Sequence, residues 1–147
     1  MRLVAEGLSA KRGEDLIFQD ISFEIAAGRA LVVKGPNGSG KSTLLRVLAG
    51  LLPAVSGTAR LDAAAHPVER LGEACHYLGH RNAMKRELTV AENLAFWKAF
   101  LGDLAGGKSF GVEAATEAVG LGGIAHLPFG YLSAGQQRRM AMAKLLV

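Results

Sequence analysis

An α/β fold is the expectation, and three observations carry it. An apolar run, Ala30-Leu31-Val32-Val33, leads straight into Gly35-Pro36-Asn37-Gly38-Ser39-Gly40-Lys41-Ser42-Thr43, a gap-free match to the phosphate-binding pattern GxxxxGK[ST]. Behind that match, Leu44-Leu45-Arg46-Val47-Leu48 has the spacing of an apolar helix face. Ahead of it, the chain alternates like the strands of an antiparallel edge.

The elements are predicted in the following order. A first strand covers 2–8, and a turn runs through Lys11-Arg12-Gly13-Glu14-Asp15. Short strands follow at 16–18, at 21–25, where Ile21, Phe23 and Ile25 alternate, and at 30–34. The helix after the P-loop starts near Lys41 and stops at Gly50, where Leu51-Leu52-Pro53 and Ser56-Gly57 turn the chain. Residues 58–61 and 75–78 read as strands, with the single cysteine, Cys75, buried in the second. From Thr89 a capping box, Thr89-x-x-Glu92, opens a helix with apolar residues at helical spacing, in which the stripe Phe96, Trp97 and Phe100 reads as core. A glycine-rich connector at 102–111 leads to a second helix at 112–119, ended by Gly120, Gly122 and Gly123. A last helix opens at Ser133.

The P-loop implies nucleoside triphosphate binding, because backbone N–H groups curl around phosphate oxygens only where no side chain intervenes. Lys41 is expected on the β- and γ-phosphates as a point charge and Ser42 on Mg²⁺, with the N-terminus of the following helix adding a favourable dipole. The expected ligands are therefore ATP and Mg²⁺.

Composition narrows the rest. With 147 residues, half of them apolar, the chain can bury one sizeable core. The net charge of +4, from 17 basic and 13 acidic residues, suits phosphate ligands or an anionic membrane surface. Nucleic acid is not expected as a partner, since the basic residues are dispersed and aromatics make up 6%. The denser groups, Arg81/Lys85/Arg86 and Arg138/Arg139/Lys144, read as solvated faces or neighbours of the nucleotide site. One cysteine excludes an intrachain disulfide and suits a reducing compartment. His66, His76, His80 and His126 lack metal-ligand spacing apart from the loose pair His76-x3-His80, and no metal site is assigned to them. No run reaches the roughly 18 apolar residues of a membrane span, and no signal-peptide layout is present.

A second motif, Leu132-Ser133-Ala134-Gly135-Gln136-Gln137-Arg138-Arg139, resembles the LSGGQ signature of ATP-binding-cassette (ABC) ATPases, with Ala134 in place of the first glycine. The P-loop first and the signature later is the order of that family, and the resemblance covers essentially the whole chain. It implies a P-loop NTPase with an antiparallel β edge, a RecA-like core and an inserted helical subdomain. It divides the chain into an ATP-binding lobe at 1–87, a helical subdomain at 88–131 and the signature helix at 132–147. It also implies that Leu132, Ser133, Ala134, Gly135 and Gln136 meet the γ-phosphate held by a second copy, so that two cassettes face head to tail. The helical subdomain would contact membrane-spanning permease subunits, which places the chain peripherally on the cytoplasmic face of the bacterial inner membrane.

Within the family, Tyr77-Leu78-Gly79-His80-Arg81-Asn82-Ala83-Met84-Lys85 with Glu87-Leu88-Thr89-Val90-Ala91-Glu92-Asn93-Leu94 resembles the ATP-binding subunits of heme exporters in bacterial cytochrome c biogenesis. The chain departs from the family at two places. Arg81 stands at the Q-loop position, where a glutamine is expected to touch Mg²⁺ or the attacking water, and an arginine accepts no hydrogen bond and ligates no cation. Its guanidinium is expected against a phosphate instead. The aromatic that stacks on adenine is also missing from Ala10-Lys11-Arg12-Gly13, leaving Arg12 to stack its planar group on the base.

The family's Walker B strand, ending in Asp and a catalytic Glu, and its switch histidine are expected after the signature helix, and no run of four apolar residues followed by Asp-Glu lies between Thr43 and Val147. The chain therefore reads as an N-terminal portion without the residues for turnover. Met140, Ala143 and Leu146 would then present an apolar face with no central strand to cover it. The same motifs also fit the ATPase of another ABC importer or exporter. A soluble ABC module without a membrane partner is the other alternative, although such proteins usually carry two cassettes or long coiled-coil insertions.

Overall fold

Leucine, valine and alanine interspersed with charged residues build β1 (Arg2–Arg12), the central strand of an antiparallel sheet ordered β2-β1-β3. Its neighbours are β2 (Asp15–Ala26) and β3 (Ser56–Asp62). The computed structural model describes residues 1–62, 68, 71–101 and 109–147, which divide into two units, Met1–Tyr77 and Leu78–Val147.

In the first unit, Arg12 pairs with Asp15, so Gly13 and Glu14 alone make the hairpin turn, with Gly13 at the positive φ of 61° that a tight β1–β2 connection takes. The two strands expected at 16–18 and 21–25 are one strand interrupted by a bulge. Leu8 pairs with Ile21 and Ala10 with Phe18, so β2 carries one residue more than β1 across this step. Asp20 absorbs it at φ 51°, and the Asp20 N–H donates to Ser9 Oγ at 3.1 Å. The bulge keeps Phe18 and Ile21 against the same core despite their odd spacing, together with Ala5, Leu8, Leu44 and Val47. Leu44 and Val47 come from α1 (Lys41–Leu48), whose apolar stripe lies on the sheet. Outside, Arg2 bridges Glu24 and Asp62, and Arg60 bridges Glu6 and Asp62. The hydrogen bond from Arg60 holds the Glu6 carboxyl below its usual pKa.

The second unit is helical: α2 (Val90–Leu101), α3 (Val112–Ala118) and α4 (Ala134–Ala143). Val90, Leu94, Ala115, Leu121, Phe129, Met140 and Ala143 form its core. Both long helices start with reciprocal caps, α2 at the Thr89 box that the sequence indicates and α4 at Ser133 with Gln136. Thr89 N–H donates to Glu92 Oε2 at 2.8 Å while Glu92 N–H donates to Thr89 Oγ1 at 3.1 Å. The hydrogen bond from the Thr89 backbone holds the Glu92 carboxyl below its usual pKa.

Several expectations are corrected. Residues 30–34 and 75–78 are not strands, because a strand exists only through a neighbour's ladder and no strand among the described residues pairs with them. Val32 is 70% exposed, and Cys75 is exposed rather than buried. Of the aromatic stripe, Trp97 packs on the core, whereas Phe96 and Phe100 are 57% and 69% exposed, because the buried side of α2 runs through Val90, Asn93 and Leu94. Met140 and Ala143 are fully buried and Leu146 packs beside them, since α2 and α3 supply the cover expected from a central strand. Lys144 is no solvated residue: it is 8% exposed with its ammonium 4.3 Å from the Trp97 ring centroid, and burial pushes its pKa below the usual lysine value. His66 and residues 102–108 of the glycine-rich connector lie outside the described residues.

Asn93 is the polar centre of the second unit. Its Oδ1 accepts from the Lys85 N–H at 2.9 Å, and its Nδ2 donates to the carbonyls of Lys85, Leu88 and Thr89 at 3.0, 3.2 and 3.0 Å. Asn93→Ala removes the partner of the Lys85 N–H and carbonyl, while the Leu88 and Thr89 carbonyls keep the Phe129 and Asn93 N–H groups, and it is expected to lower the unfolding free energy by about 1–3 kcal/mol in urea denaturation. A loss within error of zero would show that water replaces the side chain.

Candidate functional site

The P-loop enters α1 through a left-handed residue. Gly40 stands at φ 86° and ψ 2° as the N-cap of α1, and its carbonyl accepts the first helical bond from Leu44 N–H at 2.8 Å. A Cβ at this position would sit 2.7 Å from Ile17 Cγ2 and 3.3 Å from the Ile17 carbonyl oxygen, so β2 closes on the loop with room for glycine alone. No side chain caps α1 and no acid lies in its first turn. The first-turn amides thus keep their donor capacity, and the helix dipole adds positive potential there.

Above this end lies a cavity of about 300 Å³, lined by Arg12 and Ile17 from the hairpin and by Asn37, Gly38, Gly40, Lys41, Ser42 and Thr43. Two cations and no carboxylate line it, which favours an anion. Lys41 Nζ donates to the carbonyls of Gly35 and Pro36 at 2.8 and 2.6 Å, and Ser39 N–H donates to the Pro36 carbonyl at 3.3 Å. Gly35, Pro36 and Ser39 therefore shape the loop from behind, while the other predicted P-loop residues face the cavity. Ile17 was not legible as a site residue: only the hairpin register, with Lys11 opposite Leu16, brings it beside the loop.

The signature residues lie in the second unit. Leu132 is buried, and Ser133 caps α4 by accepting from Gln136 N–H at 3.3 Å, while Gln136 Oε1 accepts from Ser133 N–H at 2.8 Å. The Ser133 hydroxyl proton remains available to donate. Ala134 and Gly135 are exposed, and a Cβ at Gly135 would meet nothing within 4 Å. Gln137 Nε2 donates to the Leu132 carbonyl at 3.0 Å, fixing the turn that enters the motif. Arg81, at the Q-loop position, is exposed and makes no hydrogen bond or ion pair with any described residue.

A family model described as ABC transporter matches residues 18–147. Over 147 residues the chain is 71% identical to a protein of Rhizobium meliloti (strain 1021) called cytochrome c biogenesis ATP-binding export protein CcmA, and spans 71% of its length. It is 62% identical over 148 residues to the protein of that name from Agrobacterium fabrum (strain C58), spanning 70% of it. Among solved structures, a putative ABC transporter ATP-binding protein from Pyrococcus furiosus superposes with a TM-score of 0.81 at 25% identity, over all of this chain and 71% of that one.

Two of the loop's glycines share one left-handed φ and give a paired test. Gly38 shares φ 86° with Gly40 but faces open space. Gly38→Ala is expected to cost about 1–2 kcal/mol for the backbone alone. Gly40→Ala should cost about 1–3 kcal/mol more because it also overlaps Ile17. Equal urea midpoints for the two variants would contradict the wedge between β2 and the loop.

Proposed function

Since the chain belongs to the ABC transporter family, and within it to the cytochrome c biogenesis ATP-binding export proteins, we propose that it is the energy-coupling subunit of a heme exporter. The observation that carries this reading is the 71% identity over all 147 residues. ABC cassettes bind and hydrolyse ATP, pair with membrane permeases and work as dimers, and the full-length protein shares that general activity. Its own permease would be a membrane-spanning heme-exporter subunit, and its seat the cytoplasmic face of the bacterial inner membrane. Among the described residues no helix is long and apolar enough to cross a membrane.

Residues 1–87 serve as the ATP-binding lobe, 88–131 as the helical subdomain and 132–147 as the signature helix. In the first, ATP phosphates occupy the cavity over α1. Lys41 exchanges its carbonyl partners for β- and γ-phosphate oxygens, and the amides of residues 40–43 donate to the same charge. Arg12 offers a planar cation to the base, with Ile17 supplying apolar contact. Mg²⁺ fits the donor set: Ser42 brings one exposed hydroxyl, and no group of three His, Cys, Asp or Glu among the described residues competes for an ion. Such a cation takes its other ligands from phosphate and water, and it neutralises charge on the transferred phosphoryl. Residues 133–136 meet the γ-phosphate of the second copy through the Ser133 hydroxyl and the α4 amides, and Arg81 lies against a phosphate.

Lys41→Ala in the full-length protein should abolish ATP binding in calorimetry, and equal affinity for both proteins would refute the phosphate cradle. Phosphate release is expected from the full-length protein with its membrane partner. It should be undetectable from the 147-residue chain, which contains no Walker B pattern. Lys41-dependent release from the shorter chain would mean that another carboxylate completes the site.

A further inference from the structure

We propose that Arg138 is a positioning residue that tethers the segment carrying Arg81 to the signature helix. The stretch from Gly79 to Lys85 has no regular secondary structure, so its backbone groups depend on side chains from the helices. Arg138 Nη1 donates to the Gly79 carbonyl at 2.7 Å, Trp97 Nε1 donates to the Ala83 carbonyl at 3.0 Å, and Asn93 binds Lys85 through both of its backbone groups. Residues 80–82 hang between the first two anchors. None of the three makes a hydrogen bond with any described residue.

This segment is held in a costly conformation. Ala83 lies at φ 55°, in the left-handed region that alanine avoids. Asn82 Oδ1 is buried without a hydrogen-bond partner among the described residues. Such features persist only where the surroundings over-determine them. Here the determinants are Arg138 on α4 and Trp97 on α2, and the two helices form one packed body. Val90 and Leu94 share a core with Met140 and Ala143, and the Lys144 ammonium lies over the Trp97 ring. Residues 80–82 are therefore strapped across a rigid helix pair. Arg138 lies five positions beyond the Ser133 cap, on the same short helix whose N-terminus carries the signature.

The consequence concerns coupling, and it rests on the reading of residues 133–136 as nucleotide contacts in trans. A displacement of α4 on nucleotide engagement carries Arg81 with it as long as the Arg138 tether holds. Without the tether, residues 80–82 relax toward a lower-energy backbone, and the position of Arg81 no longer follows α4.

The experiment compares full-length wild type, Arg138→Ala and Arg138→Lys, each assembled with the membrane partner. Limited trypsin cleavage after the exposed Arg81 without nucleotide, followed by mass spectrometry, reads the tether alone, and steady-state ATPase reads its consequence. For Arg138→Ala, the rate of cleavage after Arg81 should rise at least roughly threefold with hydrogen–deuterium exchange of α2 and α4 unchanged, and kcat should fall roughly three- to tenfold with KM for ATP within about twofold. Arg138→Lys keeps a cationic donor and should recover part of both effects. An unchanged cleavage rate after Arg81 overturns the tether, and faster cleavage with wild-type kcat overturns its role in the reaction. Exchange raised evenly over the helices of the second unit with a lower Tm marks a purely structural residue and also overturns the proposal. Failure of the functional reading itself is separate, since it would appear as ATP binding that survives Lys41→Ala.

Discussion

The contact between Gly40 and Ile17 is the constraint on which the nucleotide-binding unit depends. It joins a left-handed turn, the start of α1 and the β1–β2 hairpin at one point, because the turn reaches φ 86° only without a Cβ and β2 fills the space a Cβ would take. From that point α1 leaves with its first-turn amides uncapped by any side chain and with Leu44 and Val47 directed onto the sheet. The bulge at Asp20 belongs to the same arrangement, since it lets β2 keep Phe18 and Ile21 in the core while Ile17 remains beside the loop. Packing and anion-binding geometry are thus set together.

In the helical unit the corresponding constraint is the supply of donors to irregular backbone. Asn93, Trp97, Gln137, Arg138 and Arg139 each donate to loop or helix-end carbonyls. Two of these five are arginines on the surface of α4, where a chain of solvated charges would be the plain expectation. Arg139 satisfies the Val119 and Gly120 carbonyls at the end of α3, so the helix that begins with the signature also ties down the end of its neighbour. A segment with few bonds of its own and many borrowed ones moves with the helices that lend them.

What the sequence made legible was local chemistry. The start of α1 near Lys41, the Thr89 capping box and the start of α4 at Ser133 depend on residues within a turn of each other, and each is found where the residue pattern puts it. Arg12, read from the sequence as the residue that stacks on the base, lines the cavity from the hairpin. Long-range pairing was not legible. Residues 30–34 and 75–78 have strand composition, but their state is decided by neighbours that their own residues do not encode. The burial of Lys144 depended on Trp97 lying 47 positions earlier, and charge alone gave no sign of it. Phe96 and Phe100 show the reverse error, because helical spacing identifies a stripe without saying which side of it is covered.

The central claim is that the cavity over α1 recognises a chain of phosphates through backbone and Lys41. Its most direct test is calorimetric titration of the full-length protein with AMP, ADP and ATP in the presence of Mg²⁺. The account predicts that affinity rises with each added phosphate, with AMP bound weakly or not at all, because the donors gather at the phosphate end. AMP bound as tightly as ATP would place recognition at the base and contradict it.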